Sequence, residues 1–507
     1  KSCNKTQTTP IFIGNDRINA INPLDMSPLL LFSFVIIYFL ILLVVAWYTG
    51  RNSNNDSFFI GNRNSNWMLV AFGMIGTSLS GVTFVSVPGA VAKESFAYMQ
   101  ITLGYLIGYM VIAFVLLPLY YKLNLTSIYN YLSTRLGVNS YKTGASFFIL
   151  SRTLGATARL YLVVRILQDA ILESFHVPFW ATTLIILAMI LLYTYEGGVK
   201  TIVWTDTLQT SCMLIGLVIC VVYILSQLDM GISESFAAMG DKGYSKIFFT
   251  EPESRFFFLK QILAGAFVTI TMTGMDQEMM QKNISVKTLK DSQKNVVTLG
   301  FIMLAVIGLF LFLGGLLHLY ADAQGIAATG DKLFPTIALN HMPSLVSVIF
   351  IIALISALFP SADGAITALT SSFCIDIIGL QRRDDWTDAQ KKKIRQRVHL
   401  VFAGIFLLFV MVYKWIDSSS MIGVILKVAA YTYGPLLGLF TFGILLKRTV
   451  NDKLVPIICI ASPLICLLLD KFQKQIFGSF EIGLELLIIN GAITFLGLML
   501  VSKKATA

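Results

Sequence analysis

The sequence predicts an all-α integral membrane protein of about thirteen transmembrane helices. Three observations predict it. Hydrophobic residues make up 56% of the 507 residues and charged residues only 13%, about half the charged share of a soluble domain. The apolar residues gather in runs of roughly 18 or more, long enough to cross a bilayer as helices. Basic residues concentrate in alternate connections between the runs, which fixes an orientation in the membrane.

In chain order the runs fall near 28–48, 67–90, 98–122, 143–172, 178–195, 201–227, 257–275, 296–320, 344–378, 395–413, 419–446, 454–472 and 482–502. Connections 123–142, 276–295 and 379–397 are expected on one side, and 228–256 and 321–343 on the other. The side that carries the C-terminus holds 22 of the 38 Lys and Arg residues. That side is therefore read as cytoplasmic. The N-terminus, with the polar segment 1–27, is expected outside a plasma-type membrane. The net charge of +10 is topology rather than a nucleic-acid footprint, because no basic stripe interleaves with aromatics outside these connections. The expected partners are the bilayer, a small solute and a coupling ion, with no nucleic acid; oligomeric state is left open.

Five of the six cysteines (Cys212, Cys220, Cys374, Cys459, Cys466) lie in the runs, where they suit apolar packing. No CxxC pair or His/Cys cluster points to zinc or redox chemistry. No nucleophile–base constellation sits at a membrane face, so an enzyme is not expected.

Asp206 lies inside the run TIVWTDTLQTSCMLIGLVICVVYIL. An intramembrane carboxylate is costly and usually serves an ion or substrate pathway; the alternative is a tie between two helices. The second run contains GMIGTSLSGVTFVSVPGA, where Gly76, Gly81, Pro88 and Gly89 weaken the helix and Ser78, Ser80 and Thr83 offer hydroxyls. A broken helix frees carbonyls that can hold a hard cation. The ninth contains ISALFPSADGAITALTSS, and Pro360, Ser361, Asp363, Gly364 and Thr367 are expected to interrupt it as well.

These segments resemble the sodium/solute symporter family. The likeness rests on YTYEGGVKTIVWTDTLQT, GTSLSGVTF, TGMDQEMMQKNISVKTLKDSQK, ALFPSADGAITALTSSF and AYTYGPLLGLF, and covers roughly residues 28–500. It implies a five-plus-five inverted repeat of the leucine-transporter type. The halves would be 67–227 and 257–446, preceded by an extra helix in 28–66 and followed by two helices in 454–502. It also implies sodium (Na+) as coupling ion. The carbonyls of Gly76, Leu79 and Ala357 and the hydroxyl of Ser361 match the family's sodium ligands. Pro360 stands where relatives carry a second hydroxyl, and Asp363 where they often carry serine. Asp206 matches an aspartate used for a second sodium or for gating, so Asp206 and Asp363 are expected to frame an altered cation site.

Ser80, Thr83, Tyr98 and Gln100 are the first candidates for the solute. Arg152 and Arg159 are seven apart on the fourth run and share one helix face. Arginine suits a carboxylate, although Gly155 occupies the position of the carboxylate-binding arginine in sialic acid carriers. These arginines, with Arg165, could instead pair with Asp206, Asp363 or carbonyls. Lys427 is open in the same way, as solute ligand or as neutraliser of a carboxylate.

Three functions compete. The first is sodium-coupled symport of a sugar, sialic acid or carboxylate by alternating access. The second is a proton-coupled or facilitative carrier on the same fold, kept alive by Pro360 and Asp363. The third is a membrane-embedded sensor, which needs a signalling domain that no stretch of this sequence resembles.

Overall fold

The computed structural model describes residues 27–50, 58–59, 63–195, 198–416 and 420–504. The expected external segment 1–27 lies outside them, apart from Ser27. In lipid, a chain must satisfy its own backbone polar groups, which leaves the helix as the default for apolar runs. Eight helices are long and apolar enough to span: α1 (Pro28–Gly50), α4 (Tyr98–Lys122), α5 (Val138–Phe175), α7 (Thr201–Leu228), α10 (Leu289–Gln324), α11 (Ser344–Ile378), α12 (Asp388–Ile416) and α15 (Val455–Phe477). Three further spans are bent pairs: α2 (Trp67–Ser78) with α3 (Gly81–Glu94), α8 (Phe258–Gly274) with α9 (Gln277–Ile284), and α13 (Met421–Thr432) with α14 (Gly434–Leu445). Two shorter apolar helices, α6 (Phe179–Thr194) and α16 (Leu486–Leu500), fall on the two remaining runs.

Each bend has a local cause. The α2/α3 pair turns by 55° at Leu79 and Ser80, whose backbones are non-helical. This is the interruption that the glycines and hydroxyls predict. The α8/α9 pair turns by 66°, and Asp276 caps α9 by accepting from the Glu278 and Met279 N–H groups at 2.9 and 3.2 Å. The α13/α14 pair turns by 45°, where Pro435 has no N–H to continue the ladder. Asn490 of α16 compensates, donating to the carbonyls of Ala430 at 3.0 Å and Tyr431 at 2.7 Å.

Two expectations are corrected. Residues 355–372 do not interrupt their span: the α-helix runs unbroken from Ser344 to Ser372. Pro360 removes one N–H, but the Ala, Leu and Ile residues around it keep the helix, and buried neighbours wall it in. Residues 276–295 are not a solvated connection throughout. All of Gln277–Ile284 is buried, because its polar side chains meet partners on other segments. Gln277 bonds the Thr126 carbonyl and Ile128 N–H, and Gln281 donates to Ser371 at 3.1 Å. Lys282, counted with the basic connections, belongs inside the bundle.

The connections form two faces. On one, Arg63 donates to the Leu125 carbonyl at 2.8 Å, Arg135 holds the carbonyls of Gly443, Leu446 and Arg448, and Asp452 accepts from the backbone of Asn139 and Ser140. A short antiparallel pair, β1 (Arg448–Val450) with β2 (Ser502–Lys504), joins this face with Arg448 opposite Lys504. On the other, the Phe96 N–H bonds the Lys246 carbonyl and the Glu481 N–H the Glu253 carbonyl. These groupings match the alternation read from the sequence.

Candidate functional site

The site forms where α2/α3 and α8/α9 bend beside the unbroken helices α5, α7 and α11. Helix ends inside the bundle leave carbonyls without helical N–H partners. Gly76 and Leu79 fall in the last turn before the α2/α3 break. Across from them, Ala357 and Ser361 of α11 are fully buried. Ser361 donates to its own Leu358 carbonyl at 2.8 Å, which leaves its oxygen lone pairs free to accept. A Cβ on Gly76 would stand 3.4 Å from Pro360 Cγ, so α2 and α11 meet closely at this level.

A chain of buried charges crosses the bundle below the break. Lys282 Nζ lies 2.7 Å from Asp206 Oδ2 and donates to Thr77 Oγ1 at 2.6 Å. It also lies 3.7 Å from Glu278 Oε1, one turn earlier on α9. The other Glu278 oxygen is paired with Arg152, and Arg152 Nη1 is 3.9 Å from Asp276 Oδ2. Asp276 accepts from the Tyr433 hydroxyl at 2.8 Å. Asp363 has no cation within ion-pair range among the described residues; it accepts from Tyr193 of α6 at 2.7 Å and from the Gly364 N–H. A Cβ on Gly364 would overlap the Glu278 carboxylate, so glycine lets α9 press against α11 here.

A small cavity of about 90 Å³ opens beside the break, with Ser80, Thr83, Tyr98, Arg152 and Arg159 among its walls. Tyr98 and Tyr105 share a hydroxyl hydrogen bond of 3.0 Å in its wall. Arg152 is neutralised by Glu278, whereas Arg159 has no carboxylate within ion-pair range among the described residues. A larger cavity, about 790 Å³, lies by Arg165, Asp331 and Asn340. It is away from the helix breaks and is read as a vestibule rather than the binding centre.

The structure thus brings Ser80, Thr83, Tyr98, Arg152 and Arg159 together, and separately Gly76, Ser361 and Asp206 with their helices. It does not bring in Gln100 or Lys427. The Gln100 amide is committed to the connection 228–256, donating to the Phe256 carbonyl at 3.1 Å and accepting from the Phe249 N–H at 3.3 Å. Lys427 is 60% exposed and pairs with Asp470 of α15 at 2.8 Å, which ties α13 to the outer helices. Of the expected pair Asp206 and Asp363, Lys282 holds Asp206 at 2.7 Å. Sequence reasoning missed Asp276, Glu278, Lys282, Tyr193 and Tyr433. The available signal was the Glu278/Lys282 spacing of four directly after the capping Asp276.

Residues 58–453 match the family profile described as the Sodium:solute symporter family. The chain is 25% identical over 488 residues to the sodium/sialic acid symporter SiaT of Proteus mirabilis, covering 89% of this chain and 92% of that protein. It is 23% identical to the sodium/sialic acid symporter NanT of Aliivibrio fischeri, covering 82% and 83%. A solved Na+-coupled sialic acid symporter, substrate-bound and outward-open, superposes with a TM-score of 0.79 at 20% identity, covering 94% of this chain and 99% of that one.

Proposed function

Because the chain belongs to the sodium:solute symporter family, we propose that it couples sodium entry to uptake of a small anionic organic solute, of the sialic acid or carboxylate kind. The observation that carries the anionic reading is Arg159: a guanidinium without a carboxylate partner among the described residues, lining a cavity with Ser80, Thr83 and Tyr98. A guanidinium fork matches a carboxylate bidentately. The sialic acid symporters among its relatives agree with that class.

The sodium site of this reading uses the carbonyls of Gly76, Leu79 and Ala357 and the hydroxyl of Ser361. Oxygen-only ligands suit a hard cation. Sodium there joins the broken α2/α3 to α11, steadying the cavity wall that carries Ser80 and Thr83. Charge supplies the rest of the coupling. Counted as ionised, the buried set holds four carboxylates (Asp206, Asp276, Glu278, Asp363) against three cations (Arg152, Arg159, Lys282). One negative charge is in excess before any anion enters, so cation binding favours anion binding and the reverse. Alternating access follows if the two halves, 67–227 and 257–446, rock about this point; each half opens with a bent pair. The basic face, with the C-terminus, is assigned to the cytoplasm, so the inward sodium gradient drives uptake.

The test is thermal stability of the purified protein in sodium, potassium and choline chloride with sialic acid, monocarboxylates and sugars. A sodium-specific shift enlarged by one anionic solute is expected. Ser361→Ala or Asp206→Asn should weaken sodium-dependent uptake in cells while membrane insertion persists; unchanged sodium dependence in both would remove the site assignment. Proton coupling is the second reading, favoured by Asp363, which bonds a tyrosine and has no cation within ion-pair range among the described residues. It predicts stability and uptake that follow pH and ignore the choice of cation.

A further inference from the structure

The sodium site proposed above lacks one oxygen, because Pro360 occupies the place of a hydroxyl residue and has no side-chain oxygen. We propose that Thr210 of α7 supplies it. The inference rests on that sodium site and adds a ligand from a third helix.

Three observations carry it. Thr210 is fully buried, and its hydroxyl has no hydrogen-bond partner among the described residues. Three neighbouring hydroxyls on the same helix behave otherwise. Thr205, Thr207 and Ser211 each donate back to a carbonyl of α7, at 3.2, 2.7 and 2.8 Å. That back-bonding is the usual resting place of a helical hydroxyl. Thr210 instead turns outward from its own helix. Gly76 marks the place: a Cβ there would overlap the Thr210 hydroxyl and stand 3.4 Å from Pro360 Cγ. The hydroxyl therefore lies against the Gly76 backbone, at the level where Pro360 also approaches it. A buried hydroxyl without a partner is destabilising, so its retention at this place fits a ligand that comes and goes. The same contact explains Gly76, since any side chain there would displace the hydroxyl.

The consequence is mechanical. With its oxygens drawn from α2, α11 and α7, sodium joins three helices rather than two. α7 carries Asp206 one turn before Thr210, so the ion and the Asp206–Lys282 pair act on the same helix face. Sodium binding would then be felt by the charge chain through α7, without a second ion.

The experiment compares Thr210→Val, Thr210→Ser, Ser361→Ala and the double variant Thr210→Val/Pro360→Ser in the full-length protein. The readouts are the sodium concentration for half-maximal uptake and the sodium-specific thermal shift of purified protein. Thr210→Val keeps the shape and removes the oxygen; it should raise the sodium requirement about tenfold, the effect of one lost interaction of ordinary strength. Thr210→Ser should behave as the parent, and Pro360→Ser should restore sodium affinity in the Val background by returning a hydroxyl from α11. A shift with Ser361→Ala but none with Thr210→Val would overturn the role of Thr210 and leave the sodium site standing. No shift with either would overturn both. A loss with Thr210→Val that Pro360→Ser does not recover, while Thr210→Ser also fails, would assign Thr210 to packing and overturn the proposal.

Discussion

Replacing Lys282 with Met would remove the ammonium that joins α9 to α7, and the structure sets the size of the effect. Nζ lies 2.7 Å from Asp206 Oδ2. At that distance and an effective dielectric of about 20, the Coulomb attraction is about 6 kcal/mol. Removing both ions from water costs several kcal/mol each, so the intact pair adds little net stability. Breaking it differs, because one buried charge is left behind, at about 3–5 kcal/mol. The two single variants should not be equal. Asp206→Asn leaves Lys282 with Glu278 at 3.7 Å and Thr77 at 2.6 Å, so its loss belongs near the lower bound. Lys282→Met leaves Asp206 with only the Thr77 hydroxyl at 3.3 Å, which places it near the upper. The double variant removes both charges and should be more stable than the sum of the singles by about 3 kcal/mol, at the top of the coupling range for contacting residues. Equilibrium unfolding in mixed micelles, run as a double-mutant cycle, measures this coupling. Losses that add to within about 0.5 kcal/mol would refute the pairing as an energetic unit. A second readout follows from the same geometry: sodium should stabilise Lys282→Met more than the parent, because Asp206 then has no tethered cation.

Arg159→Gln should lower affinity for an anionic solute by about tenfold or more while sodium-dependent stabilisation in the absence of solute persists; Arg159→Lys should recover only part, since a point charge cannot reproduce the fork. Binding by calorimetry in sodium chloride reads both. Asp331, in the outer connection Gly330–Lys332, accepts from the Met421 N–H at 2.9 Å. Burial raises its carboxyl above the usual carboxylate range, against the opposing pull of that N–H. A raised acid holds its proton more tightly when folded, so its contribution is present below the unfolded pKa of about 3.9 and is lost as pH rises through the folded value. Asp331→Asn, which keeps an acceptor for Met421, should flatten that part of a stability-versus-pH curve. Gly104→Ala should destabilise by about 1–3 kcal/mol through overpacking, since its Cβ would overlap the Ile262 carbonyl and stand 2.8 Å from the Ala266 N. A midpoint equal to that of the parent would deny the close α4–α8 crossing.

The legible parts of this fold are those whose cause is local. Long apolar runs give spans, and the Gly76–Gly81 stretch gives the first break because glycine and hydroxyl residues weaken a helix wherever they sit. The buried helix α9 was not legible, because its polar side chains are satisfied only by distant residues. Gln281 meets Ser371 and Lys282 meets Asp206, and read alone QEMMQKNI is a solvated connection. Pro360 makes the same point in reverse: its run contains every local sign of a break, yet its surroundings hold it in the helix. Arg152 and Arg159 show why the site itself was harder still. Their spacing of seven places them on one face, and that much was readable. What separates them is that Glu278 reaches the level of Arg152 and no carboxylate reaches Arg159 among the described residues. The same side chain thus becomes a structural counter-ion at one turn and a candidate anion receptor two turns on. Its role is set by which neighbours are already neutral. Coupling in this bundle is read most directly from that balance. Counted as ionised, four carboxylates stand against three cations around the break, while the cavity wall itself carries two guanidiniums, Arg152 and Arg159. On the proposed reading, an anion entering beside Arg159 raises the demand for a cation at the α2/α3 break, without any conformational wire between the two.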